Sequence, residues 1–128
     1  MFTSAILNDY SIMIRRGEKL VAPIFINVGN DDFPRRLNFK NFQGMEIYFH
    51  IINKDILNPC QLLAKKIDTT LNNLNEYGDV ILTIEPEDTH KFDFGTYAYT
   101  LTGSMYDEQL DKVWMYTLIG PKDFKIIK

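Results

Sequence analysis

The sequence predicts an all-β protein folded as a Greek-key β-sandwich, and three observations predict it. Apolar and polar residues alternate in most segments, the period of a half-buried strand. Those segments are short, recur about every ten residues and are mostly joined by turn residues. The third observation is the stretch from Ile84 to Leu101, which contains Asp93-Phe94-Gly95-Thr96-Tyr97. It reads as a strand end, an irregular crossing, an Asp-x-Gly-x-Tyr turn and a new strand. That is the form of a tyrosine corner, in which a Tyr hydroxyl bonds back to the backbone a few residues upstream.

The elements follow in order. Tyr10, Ile12 and Ile14 alternate with Ser11, Met13 and Arg15, which predicts a strand over 9–15. Arg16-Gly17-Glu18 is a turn, since Gly accepts dihedrals that other residues resist. Leu20, Ala22, Ile24, Ile26 and Val28 share one face of the next strand. Pro23 lies inside it without an N–H for the ladder, so this strand belongs at an edge or carries a bulge. Residues 29–36 form a polar loop. Met45, Ile47, Phe49 and Ile51 then alternate with Glu46, Tyr48, His50 and Ile52 in a strand expected to be central.

Residues 58–78 support two readings. Asn58 as a cap, Pro59 after it, Gly78 at the far end and the spacing of Leu63, Ile67, Leu71 and Leu74 suit a helix. Leu63, Lys65 and Ile67 also alternate, and the Thr- and Asn-rich remainder suits a strand followed by a loop. The local pattern favours one short helix within 58–77; the surrounding architecture favours a strand. Strands are further predicted over 79–84, 96–102, 112–119 and 124–127. Gly103 to Asp111 is expected to be a long hairpin loop, and Gly120-Pro121-Lys122-Asp123 a turn between the last two strands. The 128 residues are enough for one domain and carry no linker, repeat or low-complexity tract, so 1–128 is read as a single unit.

Composition excludes several classes. The net charge of -3 gives no electrostatic reason to bind nucleic acid or an anionic membrane. Arg15-Arg16, Arg35-Arg36 and Lys65-Lys66 are scattered pairs that read as solvated faces. The single cysteine, Cys60, forbids an internal disulfide, and it is expected to be a small buried hydrophobe. No secretory leader is expected from the first residues, and no apolar run is long enough to span a membrane. The expectation is a soluble chain made in a reducing cytoplasm.

No catalytic constellation emerges. His50 and His90 lack a second His or Cys at ligand spacing, so no metal site is expected. Asp31-Asp32, Glu85-Glu87-Asp88 and Asp107-Glu108 sit among turn residues and read as solvated loops. Asp88, with Thr89, has a structural use: its carboxylate can accept free backbone N–H groups at the crossing between strands. No nucleophile–base pair, phosphate loop or cofactor motif appears, which argues against an enzyme. Most aromatics fall at strand periodicity and read as core. One side of the strand bearing Trp114 and Tyr116 can remain exposed, and it is the first candidate for a contact surface.

The order of these motifs resembles a known family. Arg16-Gly17-Glu18 follows a first strand, and Met45-Glu46-Ile47-Tyr48-Phe49 comes next. Gly78 to Thr89 contains Pro86-Glu87-Asp88-Thr89, and Phe94-Gly95-Thr96-Tyr97-Ala98-Tyr99 follows. Tyr116-Thr117-Leu118-Ile119 and Phe124-Lys125-Ile126 close the chain. This series resembles the N-terminal domain of the baseplate upper protein family of phages of Gram-positive bacteria, over residues 10 to 127. Glu18 stands where the family has Asp, and the family continues into a long C-terminal part that carries the receptor-binding protein. The resemblance implies an immunoglobulin-like antiparallel β-sandwich, with residues 61–67 as a strand. It also implies a virion structural protein: a tail or baseplate connector, or a small tail, neck or head-decoration protein. Its partners would be other tail or baseplate proteins and further copies of itself. The alternative is a carbohydrate-binding module that grips host glycan with exposed aromatics.

Overall fold

The computed structural model describes residues 4–27, 36–42, 44–54 and 60–128. Residues 29–35 of the loop expected over 29–36, with Asp31-Asp32, and the proposed cap at Asn58-Pro59 lie outside them, as does Val28. Eight strands are present among the described residues: β1 (Ala5–Ile6), β2 (Ile12–Arg15), β3 (Leu20–Ile24), β4 (Glu46–Ile52), β5 (Gln61–Ile67), β6 (Val80–Ile84), β7 (Gly95–Asp107) and β8 (Lys112–Ile127). One four-residue helix, α1 (Pro86–Thr89), lies between β6 and β7. Short 3₁₀ turns occupy Phe39–Asn41 and Leu71–Asn73. The protein is all-β.

The strands form two sheets, one in the order β1-β2-β8-β7-β4-β5 and one made of β3 and β6. Their inner faces enclose one core. Leu20, Ile24, Val80, Leu82 and Ile84 come from the small sheet; Ile12, Ile14, Ile47, Phe49, Ile51, Leu101, Phe124 and Ile126 come from the large one. Alternation accounts for this directly, since residues two apart share a face and the apolar set of each strand turns inward. Burying them removes apolar area from water, the main favourable term in holding the sheets together. The arrangement is a β-sandwich without a disulfide. Tyr99 stands two residues after the corner Tyr97, where antibody domains carry a Cys. Its buried ring lies 5.3 Å from that of Phe49, and Phe49 lies 5.9 Å from Phe124.

Four expectations need correction. The sandwich is not wholly antiparallel, because β2 pairs with β8 in parallel, from Ile12 opposite Phe124 to Arg15 opposite Ile127. The tight turn at Arg16-Gly17 sends the chain from β2 in the large sheet to β3 in the small one. The helical reading of 58–77 fails over its first part. Gln61–Ile67 is a strand paired along β4, and Leu71, the third member of the helical spacing, is exposed. The edge of a central strand supplied a ladder that local propensity could not anticipate. Gly103–Asp111 is not a long loop: β7 continues to Asp107 and pairs with β8 down to Lys112. The stretch 120–123 is not a turn. Tyr99 faces Lys122 and Leu101 faces Ile119, so Gly120 and Pro121 together oppose Thr100 as a bulge inside one long strand. A bulge tolerates a proline that a regular ladder would reject.

Two other expectations stand. β4 lies between β5 and β7. The Pro23-bearing β3 pairs only with β6 among the described residues.

Candidate interaction surface

The crossing between β6 and β7 is the more constrained of two regions singled out by sequence. Pro86 opens α1, where its missing N–H costs nothing. The Asp88 carboxylate accepts the Glu85 N–H at 2.8 Å and the Lys65 ammonium at 2.6 Å, so one side chain caps the helix and ties it to β5. Thr89 is fully buried beneath it. The Tyr97 hydroxyl donates to the Asp93 carbonyl at 2.9 Å, four residues upstream, and its ring lies 5.6 Å from that of Phe92. Gly95 has φ +151°, a backbone region essentially reserved for glycine.

The Arg16-Gly17-Glu18 turn docks on this crossing instead of pointing away from it. Arg16 Nε donates to the His90 carbonyl at 2.9 Å, and its guanidinium lies 5.4 Å from the Phe94 ring centre. Glu18 accepts from Ser4 Oγ at 2.7 Å. Every polar group named here is engaged inside the chain. Together these contacts brace the crossing.

The remaining titratable candidates do not converge. His50 lies on the outer face of the large sheet, with Nδ1 2.9 Å from Gln61 Oε1 and Nε2 3.1 Å from Thr102 Oγ1. His90 ends α1 and is exposed. Cys60 is exposed, contrary to the expectation of burial, because it precedes β5 at the sheet edge. Among the described residues no group of three His, Cys, Asp or Glu side chains could hold a metal ion.

Trp114 and Tyr116 lie elsewhere, on the ribbon formed by the end of β7 and the start of β8. The last β4 partner on β7 is Ser104, opposite Glu46. Beyond it β7 and β8 run on as a two-stranded arm to the turn at Glu108–Asp111. The turn is held by Asp107 Oδ1, which accepts Gln109 N–H at 3.0 Å, and by Tyr106 Oη donating to Asp111 Oδ1 at 2.6 Å. That bond raises the Tyr106 ionisation above the usual range. Where the arm leaves the body, Gly103 permits close approach. A Cβ there would come within 3.1 Å of both Leu118 Cδ1 and Met45 Sδ.

Every residue from Glu108 to Thr117 is exposed, yet five of them are large and apolar: Leu110, Val113, Trp114, Met115 and Tyr116. The pairing shows which way they face. Leu101 opposite Ile119 belongs to the core face; Gly103 opposite Tyr116 and Met105 opposite Trp114 continue it outward. Ser104 opposite Met115 and Tyr106 opposite Val113 form the other face. The arm thus carries the core face of the large sheet beyond the reach of the small one. At its root lies an apolar cavity of about 250 Å³ lined by Leu37, Phe42, Met45, Met105, Tyr116 and Leu118.

The sequence reading found Trp114 and Tyr116 but missed Met105, Tyr106, Val113 and Met115 as members of the same surface. The mirrored apolar pairs on either side of Asp107–Asp111 were the available signal. No protein-family model and no curated protein matches this chain.

Proposed function

We propose that this chain is a structural connector of a phage or prophage virion, working through protein–protein contacts made by the β7–β8 arm. The arm carries the reading. A two-stranded ribbon is marginally stable in water by itself, and three or more strands or a packed face are needed to hold one. An arm with apolar side chains on both faces is therefore built to be covered, and exposed apolar patches of this kind mark protein contacts. The motif series from Arg16-Gly17-Glu18 to Phe124-Lys125-Ile126 supplies the virion context.

Glycan binding is the weaker reading. A sugar platform needs a free aromatic face, and Lys112 Nζ lies 5.9 Å from the Trp114 ring centre while Trp114 Nε1 points to Asp107 at 3.4 Å. The test is to purify particles from an induced host culture and identify their proteins by mass spectrometry. The connector reading expects the chain in washed particles at a fixed ratio to other tail proteins. Its absence from particles while it is present in the host lysate would overturn the reading.

A further inference from the structure

We infer that the cavity between the β1–β2 turn and the end of β3 is a binding site for one ring of a neutral saccharide. None of its lining residues lies on β7 or β8, so the site is independent of the arm.

The cavity has a volume of about 510 Å³, roughly twice that of the one at the arm's root, and falls in the size range of small-ligand sites. Ile6, Leu7 and Pro23 supply apolar wall, Tyr10 and Phe25 supply aromatic rings, and Asn8 and Asn27 supply two carboxamides. Alternation explains half of this set. Ile24 and Ile26 are buried, so Pro23, Phe25 and Asn27 share the opposite, solvent side. Phe25 and Leu7 are both exposed although both are large and apolar.

Both rings are held before any ligand arrives. Tyr10 has φ +71°, and three contacts keep it there. Its N–H donates to the Leu7 carbonyl at 3.0 Å, its carbonyl accepts the Tyr99 hydroxyl at 2.6 Å, and its phenol meets the Asn27 backbone. Strain of this kind gathers at ligand sites, where the surrounding structure maintains it. Phe25 is fixed by Arg36, whose guanidinium lies 4.6 Å from the ring centre and is paired with the buried Asp79. Arg36 stands over one face of the ring, and the rest of the ring lines the cavity. Rings ordered in advance lower the entropy cost of binding.

The lining selects the ligand. It contains no Asp, Glu, Lys or Arg, so a charged group would lose water without gaining a partner ion. The Arg36 guanidinium is engaged by Asp79 and does not serve a phosphate or carboxylate. What remains is aromatic surface beside carboxamides, each offering two donors and an acceptor. A sugar ring matches both, since its C–H face packs on an aromatic ring and its hydroxyls meet the amides. The cavity at the arm's root lacks this combination, because the only hydroxyl or amide side chain in its lining is that of Tyr116.

NMR titration of the isotope-labelled full chain with glucose, galactose and N-acetylglucosamine tests the site. At least one sugar should shift the amide signals of Asn8, Tyr10, Phe25 and Asn27. Its dissociation constant should be on the order of 1–10 mM, as suits a ligand of this size. Phe25→Ala should weaken binding by at least about 10-fold, and Asn8→Ala by about 3- to 10-fold. Asn8 lies on an exposed turn, so its replacement decides the matter if Phe25→Ala fails to fold. No shift at these residues with any of the three sugars at about 50 mM overturns the site. So does a sugar whose shifts centre elsewhere, or binding indifferent to Asn8→Ala. Indole bound in the cavity while no sugar binds overturns the saccharide class.

Discussion

Replacing Tyr99 by Phe should destabilise the protein more than replacing the corner residue Tyr97, although both changes remove one hydroxyl. Tyr99 is fully buried, and its hydroxyl donates to the Tyr10 carbonyl at 2.6 Å. Tyr10 has φ +71°, a conformation that bulky residues adopt only under constraint. Removing the donor leaves a half-buried carbonyl without that bond and frees a strained residue at the entry to β2. Stranding a buried acceptor costs about 1–3 kcal/mol, so a loss near 2 kcal/mol is expected. For a domain of this size that corresponds to roughly 6–10 °C in melting temperature. Tyr97 donates to Asp93, which is exposed, so water can replace the lost bond. Tyr97→Phe should cost about 0.5–1 kcal/mol.

Alkali separates the two further. Burial raises the Tyr99 ionisation above its ordinary value near 10. Below that pH both folded and unfolded states keep the proton, and the hydroxyl's contribution is complete. Above it the unfolded chain releases the proton while the native state retains it. The unfolded state then binds fewer protons, and stability falls by about 1.4 kcal/mol per pH unit until the folded state also ionises. Tyr99→Phe lacks this component, so its deficit should shrink from pH 10 upward. Urea unfolding at pH 7, 10 and 11 measures both effects. A Tyr99→Phe midpoint equal to wild type at pH 7, or a deficit that grows with pH, would refute the reasoning.

Other outcomes follow from the same geometry. The Asp79 carboxylate is buried, pairs with Arg36 through Nε at 3.0 Å and through Nη2, and accepts Asn75 Nδ2 at 3.1 Å. Arg36→Met should cost about 2–3 kcal/mol by urea unfolding, less than a fully buried pair because the arginine is partly exposed and Asn75 remains. Arg36→Met/Asp79→Leu should recover part of that loss, and no recovery would mean that the pair is not the cause. Gly78 has φ +82°, and a Cβ there would lie 1.8 Å from Asn38 Oδ1. Gly78→Ala should therefore lower stability by about 1–3 kcal/mol, and an unchanged melting temperature would contradict that close approach. Cys60 should react with a thiol reagent in the native state as fast as in urea, since it is exposed. Strong protection would return it to the core.

Much of the sandwich was legible because alternation is set by the chain itself. The inward sets Leu20-Ile24, Ile47-Phe49-Ile51 and Leu82-Ile84 were readable from spacing two, and so was the corner from Asp93-x-Gly95-x-Tyr97. What was not legible depended on partners distant in sequence. Gln61–Ile67 became a strand because β4 offered an edge, a fact absent from its own residues. Gly120-Pro121 reads locally as a turn, and only the facing Thr100 makes it a bulge. Cys60 followed the average behaviour of free cysteines, which position overruled. The arm was hidden for a related reason. Val113 to Tyr116 look like any buried strand, and only the end of β4 at Glu46 and the limit of the small sheet leave them uncovered.

Chemical cross-linking of purified particles tests the central claim, that the β7–β8 arm is the contact surface of a virion connector. Lys112 lies on the arm, whereas Lys65 and Lys66 lie on the edge strand β5, separated from β7 by β4. Cross-links from Lys112 to another protein or another copy, with β5 lysines linked only within the chain, are the predicted result. Particles in which Lys112 forms no intermolecular link, while Lys65 and Lys66 do, would contradict the account.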